Sequence, residues 1–306
     1  MTGRVTLIDT MQRNLLLGGV VDEVAPQVPE LARFPIFRLD NGIKFTSMFR
    51  KELPKASFTK LGDGVAATKG RYEEREFKLY LIKARLEIER AAAQADSEGL
   101  EGMKAREIEA HALASMVEIG QQIFYGTTIE EDGFPGLKAF TPFGGAYTYN
   151  AEGSTSSTAS SVYGVKFGDN YARLLYGGSD TPDPLNLGEF YDDTVTGNNS
   201  QPLKVVAADM EGWIGLQLRH MASVTRICNL TEQTDKTLTD KMGARAIELL
   251  PTGIVPDVWF MSRRSLRQLR ESRATPENKN PAMPTEMEGI PIVVTDTILN
   301  TDAIEA

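Results

Sequence analysis

Apolar and polar side chains alternate along residues 43–50, with Ile43, Phe45, Ser47 and Phe49 on one side and Lys44, Thr46, Met48 and Arg50 on the other. A period of two is that of a β-strand with one face more apolar than the other. A return arm runs from Arg71 towards Ile88, with Phe77, Leu79 and Leu81 in one phase and Tyr80, Ile82, Ala84, Leu86 and Ile88 in the other. The phase changes near Tyr80, as a bulge or bend would require. Between the arms, residues 53–70 hold Pro54, Gly62-Asp63-Gly64, Gly70 and scattered lysines, which predicts a flexible, polar tip. A long ribbon of this kind leaves backbone donors and acceptors that need a cover. Two readings follow from the ribbon alone: a subunit completed by a partner, or a sheet-edge hairpin of a globular domain.

After Ala91-Ala92-Ala93 the period lengthens to that of a helix. Asp96 or Ser97 is the expected N-cap, and Glu98 and Glu101 stand in the first turns, where the helix dipole favours acids. Leu100, Met103, Leu113, Val117 and Phe124 fall near one face of a helix over about 97–125, and Gly126 supplies the stop. Gly99 and Gly102 weaken the first turn, so a later start is also compatible. Glu101, Lys104, Glu107 and Glu118 make an ordinary polar face. The turn Gly133-Phe134-Pro135-Gly136-Leu137 comes next.

This order of ribbon, long helix, Gly126 and Gly-Phe-Pro-Gly-Leu turn resembles the extended loop and spine helix of tailed-phage major capsid proteins of the Hong Kong 97 type. The stretch Ser161 to Gly168 is similar to a strand of such subunits. Trp213 to Gln217 and Arg226 to Leu230 resemble its sequel in the gene-product-seven subfamily. Pro256 to Arg263 and Glu288 to Val294 resemble a strand, helix and strand of the axial domain. The resemblance implies an α+β, Hong Kong 97-type capsid fold. It divides the chain into an N-terminal arm (1–40), an extended β-hairpin loop (41–90), a peripheral domain with the spine helix (91–230) and an axial domain (231–306). In the common order the peripheral strands close the chain, whereas here the strand-rich block at 161–230 comes before the axial-like block. A rearranged, permuted connection of the same elements is therefore expected.

Composition bounds the function. The 306 residues are 41% hydrophobic, enough for one large or two modest domains. With 33 basic and 42 acidic residues the net charge is −9, which argues against general nucleic-acid binding over the surface. A container wall can still enclose DNA without gripping it. There is no run of about 18 apolar residues, and Met1 to Ile8 lacks a signal pattern, while the apolar stretch at Leu15 to Val21 is too short. No membrane and cytoplasmic synthesis are expected.

Candidate chemistry is sparse. Cys228 is alone, between Ile227 and Asn229 in an apolar run, and reads as a core residue rather than a nucleophile. His111 and His220 have no partner at metal-ligand spacing. Glu130-Glu131-Asp132 reads as a solvated loop before a cation site. Gly62-Asp63-Gly64, Gly144-Gly145 and Gly177-Gly178 lack a phosphate-loop sequel, and no Gly-x-Ser-x-Gly elbow occurs. No enzyme, cofactor or metal is expected. Arg263, Arg267 and Arg270 lie near one face of the helix after Trp259, opposite Leu266 and Leu269. They could touch phosphate, but with Glu271 beside them an inter-subunit salt-bridge face is the preferred reading.

The resemblance implies a subunit of an icosahedral phage head built from hexamers and pentamers around double-stranded DNA. Its location would be the virion capsid, after assembly in the host cytoplasm. Expected contact residues between subunits are Ile43, Phe45, Phe49, Lys51, Arg71 and Phe77 of the ribbon, with Arg263, Arg267 and Arg270 of the later helix. Implied partners are further copies of the chain, a portal, a decoration protein, and a scaffolding protein acting in trans, since no long charged helical extension precedes the arm. An encapsulin-like nanocompartment shell shares the fold and is the nearest rival. A monomeric binding or enzymatic domain is the rival from another class.

Overall fold

The structure is a computed structural model and describes residues 5–11, 25–39, 42–177, 183–276 and 280–305. The apolar stretch at 15–21 lies outside them. In chain order the elements are α1 (Leu7–Met11), β1 (Ile36–Leu39), β2 (Lys44–Glu52), β3 (Arg71–Lys78), β4 (Tyr80–Glu89), α2 (Arg90–Ala95), α3 (Gly99–Tyr125) and α4 (Leu137–Phe140). Then come β5 (Thr148–Asn150), β6 (Ser160–Val165), β7 (Ala172–Gly177), β8 (Asn186–Leu187), β9 (Tyr191–Thr196), β10 (Pro202–Leu218) and β11 (Val224–Leu230). The remainder is α5 (Asp240–Glu248), β12 (Val258–Met261), α6 (Arg263–Ser272), β13 (Glu286–Met287) and β14 (Ile290–Val294).

The ribbon forms where the alternation predicts it. β2 and β3 pair antiparallel from Lys44 opposite Lys78 to Glu52 opposite Arg71, with a register shift between Arg50 and Glu52. The change of phase falls at Leu79, whose N–H donates to the Ile43 carbonyl at 2.8 Å. Up to that point odd-numbered side chains are the more buried, and from Tyr80 onward even-numbered ones are. That switch turns the strand from the free ribbon into a sheet. β4 then runs antiparallel along β10, from Tyr80 opposite Ile214 to Glu89 opposite Val205. Its even side faces the main core with Leu86 buried and Tyr80, Ile82 and Ala84 partly so. The other side of β10 is taken in succession by β9, β8 and β7, and β1 joins β7 in parallel.

The long helix α3 has 27 residues and starts at Gly99, one or two residues later than an Asp96 or Ser97 cap would set it. Asp96 instead accepts the Glu98 N–H at 2.9 Å and pairs with Arg106 at 2.6 Å, holding the turn between α2 and α3. The buried stripe is Ala112, Met116, Ile119, Ile123 and Phe124. Of the expected face, Phe124 is fully buried, whereas Leu113 and Val117 are only partly so. The helix is covered from two directions in its second half, which rotates the buried stripe away from the one-sided pattern.

At its end, Gly126 adopts φ 59° and closes the helix as expected. The Gly133-to-Leu137 turn packs on this stop so closely that a Cβ on Gly126 would lie 2.0 Å from the Gly136 nitrogen. Gln122 Nε2 donates to the Phe134 carbonyl at 2.7 Å and pins the turn to the helix. A motif spaced across ten residues is thus one contact.

A second sheet has the order β13-β14-β12-β6-β11-β5. One face presents Tyr163, Val165, Val258, Phe260 and Val293 to the core shared with α3, and Phe124, Tyr163, Phe260, Phe34 and Phe167 form an aromatic cluster there. The opposite face places Val162, Ile227, Trp259 and Met261 against Met242 and Ala246 of α5 and Leu266 and Leu269 of α6. Pairing therefore crosses residue 230, where the sequence reading sets a boundary: β6 and β11 share a sheet with β12 and β14. Sheets recruit strands from distant parts of a chain, and the apolar runs of β6 and β11, buried on both faces, fit a central position.

The final segment straps the body together. Ile298 is in the main core, and the Leu299 N–H donates to Tyr125 Oη at 2.8 Å. Asp302 bridges to Ala159. Glu305 pairs with the buried Arg226 at 2.7 Å and with Lys138 at 2.9 Å. Burial works against the Glu305 carboxylate, but these two cations hold its pKa below the ordinary value.

Candidate assembly interface

The ribbon has a covered root and an open end. At the root Phe45 and Phe77 stand opposite each other and pack with Leu39, Leu79, Leu175 and Trp213 of the same chain. Phe77 is only 8% exposed. Two residues expected to contact a neighbour thus first hold the ribbon to its own sheet, because the cross-strand pair falls where β4 enters the sheet. Ile43 is exposed beside them, and Arg71 is exposed at the far end of β3. Phe49 and Lys51 take their places in β2, but their side chains lie outside the described residues. Along the ribbon, Glu76 is paired with Lys44 at 3.1 Å and with Lys78 at 3.7 Å, an arrangement that favours one register over a slipped one.

Beyond the ladder the tip is not merely polar. Leu53, Phe58, Leu61 and Val65 are all exposed, Phe58 and Leu61 completely. Solvent-exposed apolar side chains grouped on a projecting loop mark an interaction surface. Phe58 and Leu61 are visible in the sequence, but they fall in a segment whose glycines and lysines dominate a pattern-based reading.

The arginine row of α6 is engaged within the chain. Arg263 lies 3.3 Å from Asp296, and Arg267 pairs with Glu232 at 2.5 Å and with Glu271 at 2.8 Å. Arg270 Nε donates to the Pro281 carbonyl at 2.7 Å, and Arg273 pairs with Asp240 at 2.6 Å. This face is a set of local ion pairs that close α6 over the second sheet, with Arg263 and Arg267 remaining exposed enough to meet a neighbour.

Elsewhere the candidate chemistry resolves into structural roles. Cys228 is fully buried and its thiol is pushed up to about 11 by burial. His111 Nδ1 lies 2.8 Å from the Glu107 carbonyl one turn earlier, and His220 Nδ1 accepts the Ala222 N–H at 3.1 Å. Among the described residues no group of three His, Cys, Asp or Glu side chains could hold a metal ion, and no helix is long and apolar enough to cross a membrane.

A projecting ribbon on a sheet carried under one long helix, with a second sheet flanked by helices, defines the Hong Kong 97-type class of capsid subunits. The fold matches that of a chain in the structure of bacteriophage Epsilon15 with a TM-score of 0.67 and 18% identity, over 88% of this chain and 86% of that one. The bacteriophage JBD30 capsid matches with a TM-score of 0.52 and 11% identity, over 89% of this chain and 90% of that one. The chain belongs to the family described as Major capsid protein GP7, whose model matches residues 17–305. No curated protein matches it in sequence.

Proposed function

We propose that this structural shell subunit assembles through hexamers and pentamers into an icosahedral phage head around double-stranded DNA. The observation that carries the reading is the ribbon: its root is fixed in the chain's own core, while the apolar side chains of its tip are left exposed by the described residues. A neighbour's surface supplies the cover, and many such weak contacts repeated by symmetry make a stable shell. The role is mechanical rather than catalytic. The sheet under α3 takes the peripheral place in a capsomer and the second sheet, with α5 and α6, the axial one. The formal net charge of −9 and the internal pairing of the α6 arginines support contact with DNA as a bulk polyanion and not through a sequence-reading surface.

Further partners follow from this role: a scaffolding protein in trans, a portal at one vertex and a decoration protein on the outer surface, with assembly in the host cytoplasm. Negative-stain electron microscopy of the purified chain, with and without a co-expressed scaffold candidate, tests the reading. Rings, tubes or closed shells are expected, and a persistent folded monomer in both samples would overturn it. An encapsulin-like shell would also give particles, and native mass spectrometry separates the two by an enzyme cargo in place of nucleic acid.

A further inference from the structure

A cleft of about 260 Å³ opens between β4, α3 and the turn at 130–134. Ile82 of β4 and Ile119 of α3 give it apolar walls, together with the rings of Tyr80 and Phe134. The two ring centroids stand 6.5 Å apart at an interplanar angle of 58°, so the rings form a corner rather than a stack. Three carboxylates share the lining, those of Glu118, Glu130 and Asp132. None of them has an ion pair among the described residues, and the one cation in the lining, Lys83, is held by Glu211 at 3.0 Å. Glu118 is half-buried, and burial, followed by the negative charge of Glu130, raises its pKa above the ordinary value. The acids thus stand in each other's field with no free positive charge between them.

An observation independent of the acids lies at the floor. Gln122 is 4% exposed and lines the same cleft. Its Nε2 donates to the Phe134 carbonyl at 2.7 Å and to the Glu130 carbonyl at 3.4 Å, while its Oε1 has no hydrogen-bond partner among the described residues. A buried acceptor left without a donor is unfavourable, and a donor entering the cleft relieves it. Gly133, in the wall of the cleft, has no side chain to cover this amide, and a Cβ there would lie 2.1 Å from Nε2 and 3.0 Å from Oε1.

These features call for one ligand chemistry. Ring faces and carboxylates attract a cation. Apolar walls favour a cation that carries methylene groups over a hydrated metal ion, and among the described residues no group of three His, Cys, Asp or Glu side chains could hold a metal. The unpaired acceptor needs an N–H. The volume lies just below the roughly 300–1,000 Å³ of pockets for drug-sized ligands, which suits a short chain. We infer that this cleft binds a linear alkyl diamine. Its methylene chain lies on Ile82 and Ile119, one ammonium group sits at the Tyr80–Phe134 corner over Gln122 Oε1, and the other stands among Glu118, Glu130 and Asp132. The site is built from one chain, so it stands or falls separately from the shell function.

Titration calorimetry of the purified, unassembled full chain with cadaverine tests it. Saturable binding at one site per chain is expected, with a Kd of about 1 mM or tighter from two charge-assisted contacts. Pentanediol, the neutral isostere, and magnesium chloride at matched ionic strength should not saturate the chain. Glu118→Gln with Glu130→Gln should weaken the diamine about tenfold, and Tyr80→Leu about threefold, through loss of charge pairing and of the ring face. A wild-type titration without saturation, magnesium or the diol binding as well as the diamine, or an unaltered Kd in either variant overturns the inference. Should Glu118→Gln melt early, Glu130→Gln with Asp132→Asn takes its place, since both positions are exposed. The same loss of about tenfold is expected there, and an unaltered Kd again overturns the inference.

Discussion

Glu30 is fully buried where the arm, α3 and the C-terminal segment meet. Thr297 Oγ1 donates to its Oε1 at 2.8 Å, and its Oε2 has no hydrogen-bond partner among the described residues. Gly120 makes room for it, since a Cβ there would lie 2.4 Å from Oε1. Burial raises the Glu30 pKa, outweighing the hydrogen bonds from Thr295 and Thr297. A raised carboxyl pKa means that the folded chain binds the proton more tightly than the unfolded one. The stabilisation is complete below the ordinary glutamate pKa and is lost as pH rises through the raised value. Glu30→Gln should therefore melt close to wild type near pH 4.5 and increasingly above it towards pH 8. Thermal melts across that range check this, and a constant offset would show that Glu30 does not titrate in the window. Neither Glu30 nor Gly120 stands out in the sequence, because the reason for each is the other, ninety residues away.

At the scale of elements, α3 and the ribbon were legible in different degrees. The existence, length and stop of α3 follow from local spacing and Gly126, but its buried stripe depends on being wedged between two sheets. Ile123→Ala should cost about 2–5 kcal/mol, the usual range for truncating a buried aliphatic side chain. Val117→Ala, at a half-buried position, should cost clearly less. Denaturant unfolding of the two variants gives the comparison, and equal losses would restore the one-sided stripe. For the ribbon, alternation marks both strands and the phase change, yet it cannot tell a face that meets a neighbour from one that meets the chain's own sheet. Phe45→Asp should thus loosen the ribbon root and raise hydrogen exchange along β2 and β3 in the unassembled chain, not only block assembly.

For the whole molecule, the apolar load of the tip is the feature that stability of the single chain does not explain. Phe58→Ser with Leu61→Ser should leave the melting temperature unchanged, because both side chains are fully exposed, while particle yield falls sharply. Calorimetry and sedimentation of the same preparation read the two quantities. A lower melting temperature would mean that the tip folds back on its own chain, and unchanged particles would remove it from the contact.

The sequence by itself determined what is local: the period of two over 43–50, the shift near Tyr80, the long helix, its glycine stop, and a surface charge that does not favour nucleic acid. Those features depend on neighbours within a few residues, so one strand of text contains them. Only the tertiary structure decided that β6 and β11 join β12 and β14 across the expected boundary, that Phe45 and Phe77 close the ribbon on its own chain, and that Gly126 and Gly136 meet back to back. It also paired Arg267 with Glu232 and Glu271, and Arg273 just past α6 with Asp240, within the same chain. Each of these is a pairing between distant segments, and periodicity records which face of an element is apolar but carries no information about which distant element will cover it.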